Sequence, residues 1–413
     1  MDPRAALLEK LEQTRDEIIS LCSNLVRIPS ENPPGDTRDV CRFIASYLDA
    51  RGVKYDVIAP QETMPNIVAT VQGKEPGKHL VLNGHMDVFP AGDRTLWDRD
   101  PFSGEVADGK IHGRGVSDMK AGVTASLITF LYLKELKEHW KGSLSLTTVS
   151  DEETFGPWGT DYLLTNFPHL RGDAGLSGEP SSCDIMNFGE KGLLWIEIEC
   201  RGRSAHAAYP HWGKNAIKEM TEILKRLEGI EQIPFTLPDE VVKNFEEARD
   251  ELERIRGAGA TDVLMKITTN MGIIQGGMKV NLIADYCRAE FDFRVPIGVP
   301  LERIEKEVEK ILKEYETVRY RVITKSEPNF SSTTHEIFQI VQQNATEVRG
   351  QAPIFSSGLG GTDMRLFRRY GVPSAVYGPR TYGMGAPNEY ITVADLLDVT
   401  KVHALTAYDY LTV

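Results

Sequence analysis

No run of apolar residues in this chain approaches the ~18 that a membrane-spanning helix requires. Nor is there an excess of positive charge. Lys and Arg number 47 against 60 Asp and Glu, a net charge of −13, which argues against a phosphate-backbone partner because such partners need a basic surface. A small anionic substrate remains compatible, since a few local cations suffice to hold one. The N-terminal segment MDPRAALLEKLEQTRDEIISLC lacks the apolar core and small-residue cleavage site of a signal peptide and reads as a charged amphipathic helix. Cysteine is scarce. Cys22, Cys41, Cys183, Cys200 and Cys287 are an odd set with no closely spaced pair, so the expected compartment is the reducing cytoplasm and not a disulfide-forming one. Internal repeats and low-complexity tracts are absent.

What is present is a chain of 413 residues, 41% apolar, too long for one ordinary domain and rich enough for two cores. Helical periodicity predicts helices over 6–26, 36–50 and 121–137, with Asn32-Pro33-Pro34-Gly35 marking a loop. Short apolar segments at 79–83, 143–149 and 174–176 read as strands between them, an α/β alternation with helices on both faces of a sheet. Near Phe188 the texture changes. Residues 194–200 (LWIEIEC) alternate as an antiparallel strand does, and further strands are expected around Ile273, over 284–295 and over 317–324. Helices are expected at 214–227, 238–256 and 301–315. From 330 the α/β texture returns, with helices at 333–348 and 394–411. The expected organisation is an α/β catalytic domain, 1–186 plus 327–413, interrupted by an α+β domain at 187–326.

Four short motifs follow apolar strands or precede a helix. In Asn83-Gly84-His85-Met86-Asp87, a spacing of two puts His85 and Asp87 on one face, and an imidazole ligand wants a carboxylate on its other nitrogen. In Ser117-Asp118-Met119-Lys120, Asp118 is a ligand candidate that reads equally as a helix N-cap. Asp151-Glu152-Glu153 places three carboxylates after a strand, where a cation would relieve their repulsion. Ser177-Gly178-Glu179-Pro180 is either a polar turn or a fourth ligand segment. Together they bring His85, Asp118, Glu153 and Glu179 to strand ends of one sheet, where ligands of open α/β sheets bind. One imidazole with several carboxylates and no thiolate suits zinc, cobalt or manganese.

The order HMD, SDMKAG, DEE, GEP resembles the family of metal-dependent deacylases and carboxypeptidases that includes acetylornithine deacetylase, succinyl-diaminopimelate desuccinylase, aminoacylase and glutamate carboxypeptidase. The likeness continues through Gly202-Arg203-Ser204-Ala205-His206, Gly276-Gly277 with Asn281 and Arg294, Gly360-Gly361-Thr362-Asp363 and Pro387-Asn388-Glu389-Tyr390. The resemblance implies a zinc-peptidase-like catalytic domain with an inserted lid that forms a homodimer. It implies that His85 and Glu179 bind one metal, Asp118 bridges two, Glu153 binds the second, Glu152 is the general base and Asp87 orients His85. It further implies that His206 stabilises the oxyanion, and that Asn281, Arg294 and Thr362 read a free carboxylate on a small acylated amino acid or short peptide. An N-carbamoyl compound is the alternative substrate, and a non-catalytic metal- or ligand-binding relative the alternative role. The run of residues 289–294 also allows a plain ion pair between Arg294 and Asp292, which share one strand face. One position departs from the family pattern. Gly385 stands where the second metal's histidine is expected, three residues before Asn388, so the second site keeps only Asp118 and Glu153.

Overall fold

The computed structural model describes residues 2–413. The chain forms two compact units, one of residues up to Phe188, Ser331–Ser356 and Thr362–Val413, the other of Gly189–Phe330 with Ser357–Gly361. Among the described residues no helix is long and apolar enough to cross a membrane.

The first unit is built on a mixed sheet. Its strands run in the order Asp56–Gln61, Met64–Gln72, Ser143–Val149, His79–His85, Ala174–Ser177, Ser374–Val376 and Ile185–Glu190. The central members are parallel: His79–His85 pairs in parallel with both Ser143–Val149 and Ala174–Ser177, and Ala174–Ser177 in parallel with Ser374–Val376. The outer pairs, including the hairpin Asp56–Gln61/Met64–Gln72, are antiparallel. Parallel central strands buried on both faces explain the near-continuous apolar composition of LVLNG and LSLTTV. The helix Ala121–Glu135 is buried on nearly every side, which its run of small and apolar residues permits.

Two helices expected as single elements are broken. The first is Pro3–Gln13 and Arg15–Val26, divided at Thr14, whose φ of −104° and ψ of 18° leave the helical basin. The charged stretch of the second unit is Asp239–Glu247 and Arg249–Arg256, divided at Ala248.

The second unit is a four-stranded antiparallel sheet in the order Thr268–Gly276, Tyr286–Val295, Gly192–Arg201, Val318–Ser326. One face carries Leu194, Ile196, Ile198, Ala289, Phe291 and Phe293 into a core closed by the helices Ala216–Glu228 and Leu301–Leu312. Cys200 and Cys287 face each other across this sheet as free thiols, a proximity that sequence spacing does not reveal. The opposite face is charged. Glu197 accepts hydrogen bonds from Arg321 (2.6 Å) and Arg288, and Asp292 accepts from Arg294 (2.9 Å).

Candidate metal centre

The three parallel strands end on the same side of the sheet, and each delivers a functional group there. His85 is the last residue of its strand and lies in register with Val149. Glu152 and Glu153 follow Val149 by three and four residues, and Glu179 follows Ser177 by two. The fourth group, Asp118, comes from the turn before Ala121–Glu135. Its backbone is extended (φ −125°, ψ 95°), and Lys120 holds the N-cap position, so the capping reading of Asp118 is set aside. Gly178 and Gly122 are the contact that makes this possible. A Cβ on Gly178 would lie 2.5 Å from the Gly122 Cα, so two glycines let the Glu179 turn rest on the start of that helix.

His85 is fully buried. Its Nδ1 is 2.9 Å from the backbone carbonyl of Asp87, which sets the Nδ1–H tautomer of the neutral ring and leaves Nε2 facing Asp118 Oδ1 at 3.1 Å and Glu179 Oε1 at 3.4 Å. The Asp87 carboxylate lies 3.6 Å from the same Nδ1, so the carbonyl and the carboxylate of Asp87 both face it. That carboxylate also receives the backbone N–H groups of Glu152 (3.3 Å) and Glu153 (3.1 Å) and the Asn32 amide (2.8 Å). Asp87 thus holds in place the loop that carries the acidic pair.

Two groups of potential ligands share His85: His85, Glu152 and Glu179, and His85, Asp118 and Glu153, each with ligand atoms within 4.8 Å of one another. Burial raises Glu179 to about 8 against the pull of His85, and burial raises Glu152 and Glu153 well above the ordinary carboxylate range. Burial works against protonated His85, but the charge of Glu179 and hydrogen bonds to Asp118 and Asp87 outweigh it and hold the ring well above its usual value. Glu179 Oε1 is sealed from solvent and, among the described residues, has no hydrogen-bond partner. An orphaned carboxylate oxygen beside an imidazole nitrogen, in a set of one nitrogen and several oxygens, fits a divalent cation of the zinc, cobalt or manganese type.

Residues 81–409 match the model of peptidase family M20/M25/M40. The chain belongs to that family. Relatives similar to it include a succinyl-diaminopimelate desuccinylase of a Nitratiruptor species, 28% identical over 90% of this chain and 94% of the relative. In fold it is similar to the M20 metallo-carboxypeptidase Sso-CP2 of Sulfolobus solfataricus (TM-score 0.82, 20% identity, 95% of this chain and 99% of that one). Human carnosine dipeptidase 1 shares the fold as well (TM-score 0.77, 17% identity, 100% and 99% covered). As an M20/M25/M40 member, the protein is a metal-dependent hydrolase of amide bonds.

The remaining residues expected from the sequence divide between the units. Thr362 belongs to the metal-bearing unit; His206, Asn281 and Arg294 belong to the inserted one. His206 and Asn281 are brought together, because Ala207 N–H donates to the Asn281 carbonyl (3.0 Å) and His206 bridges Leu282. His206 is exposed, and its Nδ1 accepts the Ala208 N–H at 3.1 Å, so the neutral ring carries its proton on Nε2. The Arg294 guanidinium is engaged, by Asp292 through Nε and by the Leu359 carbonyl (3.2 Å) through Nη1. Gly385 has φ +73°, open space where a Cβ would be, and a carbonyl that accepts from Arg114 (3.2 Å).

Sequence reasoning gave no role to two supporting groups. Glu389 is buried with both oxygens occupied, one by Ser117 N–H and Oγ–H, the other by Arg114 and Gly115 N–H, and so braces the turn that presents Asp118. Arg365 donates to Glu152 Oε1 at 3.2 Å. The motif Gly360-Gly361-Thr362-Asp363 stops two residues short of it, and no local pattern in the sequence marks its contact with Glu152.

Proposed function

We propose that this hydrolase cleaves the amide bond of a small N-acyl amino acid or short peptide that carries a free carboxylate. The observation that carries this reading is Glu152, a buried carboxylate positioned beside His85 and Glu179 but tethered by Arg365. The cation sites assigned are a tighter one at His85 and Glu179, with Asp118 shared, and a weaker one at Asp118 and Glu153, which lacks a histidine at Gly385. A divalent ion held there supplies Lewis acidity to the scissile carbonyl and acidity to water. Glu152 takes the proton of the attacking water and returns it to the leaving amine. His206, with its proton on Nε2, donates to the developing oxyanion, a role of the type worth roughly 3 kcal/mol per donor. Asn281, Arg294 and Thr362 are assigned to the substrate carboxylate, Arg294 by exchanging Asp292 for the substrate.

The same reading assigns the inserted unit to a homodimer. Its edge strand Thr268–Gly276 exposes Met271, Ile273 and Ile274 alongside unpaired backbone groups, a surface suited to a second copy. Light scattering of the purified protein tests this and should return twice the monomer mass. The five free, buried thiols suit a reducing compartment, and we place the protein in the cytoplasm.

The test of function is a panel of N-acetyl, N-succinyl and N-carbamoyl amino acids and dipeptides, assayed with added zinc, cobalt or manganese. Turnover of an acyl amino acid or dipeptide is expected. Turnover confined to carbamoyl compounds would reassign the substrate.

A further inference from the structure

Residues 206–212, HAAYPHW, carry four aromatic rings in seven positions, and none of them enters the core of the inserted unit. Tyr209 is 47% exposed and Trp212 57%, the most of any tryptophan in the chain. The rings are nonetheless ordered. Tyr209 and Trp212 stack with centroids 4.5 Å apart and planes 18° from parallel. The His206 ring lies 6.1 Å from that of Tyr209, and His211 meets Trp212 at a steep angle, 5.3 Å away. Tyr209 is thus within aromatic pairing distance of both His206 and Trp212.

The loop is closed without the stack. Arg203 and Lys214 exchange both backbone hydrogen bonds at 2.9 Å and seal its base. Ile283 N–H donates to the Ala205 carbonyl (2.9 Å), Ala207 N–H to that of Asn281 (3.0 Å), Tyr209 N–H to that of His206 (2.8 Å) and Trp212 N–H to that of Tyr209 (3.0 Å). Pro210 opens the short turn Pro210–Trp212 with its fixed φ. A Cβ on Gly213 would lie 2.5 Å from Ile283 Cδ1, so glycine lets the chain settle on the unit there. Single exposed apolar residues are ordinary on a protein, whereas a contiguous stacked pair of large rings, on a main chain already held, points to a ligand.

The neighbours of the rings identify which part of a ligand they meet. His206 and Asn281, joined through the Ala207 N–H, are the residues assigned above to the substrate carbonyl and carboxylate. The carboxylate belongs to the amine half of an N-acyl amino acid and is read by polar groups. The rings offer the opposite chemistry, a flat apolar face, beside the group that meets the carbonyl. They therefore match the other half of the molecule, the acyl group.

We propose that Tyr209 and Trp212 form the acyl subsite and select a flat apolar acyl group, an arylacetyl-type chain or an aromatic residue at the N-terminus of a dipeptide. This rests on the assignment of His206 to the scissile carbonyl of an amide. It narrows the substrate class to N-acyl amino acids whose acyl half carries an aromatic ring, and it disfavours acyl groups that end in a charge.

The test compares acyl groups that share an acetyl core. N-acetyl, N-phenylacetyl and N-succinyl forms of the same L-amino acids are titrated calorimetrically into zinc-loaded Glu152→Gln, a variant expected to bind substrate without turning it over. The same titrations follow with Trp212→Phe, with Tyr209→Ala and Trp212→Ala together, and with Val57→Ala added to it. Val57 is an exposed apolar residue of the other unit and serves as the control. Zinc content, thermal melting and mass by light scattering are checked on each. The phenylacetyl form should bind about tenfold more tightly than the acetyl form, and the succinyl form no more tightly. The paired alanine variant should bring the phenylacetyl-to-acetyl ratio close to one, Trp212→Phe should keep most of it, and Val57→Ala should leave it unchanged. Equal binding of phenylacetyl and acetyl forms overturns the proposal, as does tightest binding of the succinyl form. So does a ratio that survives in the paired variant while the dimer mass is lost, which would hand the rings to a second copy of the chain. Turnover of the acetyl and phenylacetyl forms by wild type is read separately and decides the hydrolase reading alone.

Discussion

The two units treat buried and half-buried carboxylates in opposite ways. On the charged sheet face of the inserted unit, Glu197, Glu290 and Asp292 each have an arginine against them, so the charge is neutralised by the chain itself. At the strand ends of the first unit, Asp87, Asp118, Glu152, Glu153 and Glu179 crowd around His85, and among the described residues Arg365 pairs with Glu152 alone of these carboxylates. The first arrangement is complete as it stands. The second is electrostatically incomplete and calls for an added cation. A surface of paired charges reads as structure, and a buried cluster short of positive charge reads as a site.

Removing that cation is the sharpest way to break the contrast. Chelation should abolish turnover and lower the melting temperature, and zinc or cobalt should restore both; activity that persists with no bound metal would contradict the account. Metal analysis of the purified protein should return between one and two ions per chain, and two zincs that resist mild chelation would show that the site lacking a histidine is not weak.

Two buried imidazoles carry the contrast to the level of single residues. His85 is held up by carboxylates, whereas His403, among the described residues, hydrogen-bonds the Tyr377 carbonyl alone, to which its Nε2–H donates at 2.7 Å, and burial drives it down to about 4. The unfolded chain takes up that proton near pH 6.5, so His403 favours the folded state at higher pH. Its contribution is lost as the pH falls from about 6.5 to about 4, a change of about 3 kcal/mol. His403→Gln should flatten the stability profile over that window as followed by urea unfolding, and an unchanged slope would reject the assignment.

Smaller effects sharpen the comparison. Gly385→His places an imidazole at φ +73°, at a cost of about 1–2 kcal/mol in the folded protein. It should nonetheless tighten the second metal, detected by zinc titration, and unchanged affinity would mean that the side chain does not reach Asp118 and Glu153. The smallest effect belongs to Glu197→Gln, which should lower the melting temperature slightly and leave metal content as in wild type.

Much of the candidate cluster was legible because its groups sit at strand ends. The strand Ser143–Val149 is apolar throughout and delivers the acidic triplet directly, and His85 and Glu179 follow the same logic. What was not legible arrives from a distance. Arg365 meets a residue 213 positions away, and Asn32 meets Asp87 from 55 positions away, so no local pattern marks either. The backbone share of Asp87 was not legible for a related reason: a spacing of two places the carboxylate near the imidazole, but only the folded backbone shows that the carbonyl is nearer. Among the fold elements, the hairpin Asp56–Gln61/Met64–Gln72 escaped because its outer strand is mostly exposed and carries little apolar signal. Ile185–Glu190 escaped for the opposite reason, being buried at every position and so without alternation.

The central claim is that the first unit's cluster separates ligands from base, with Glu179 and its neighbours holding metal and Glu152 moving the proton. Glu152→Gln tests it most directly, with bound metal and turnover measured on the same sample. The account predicts wild-type metal content with turnover reduced by about 10²–10⁴-fold. Near-normal turnover, or loss of the metal together with the activity, would contradict it.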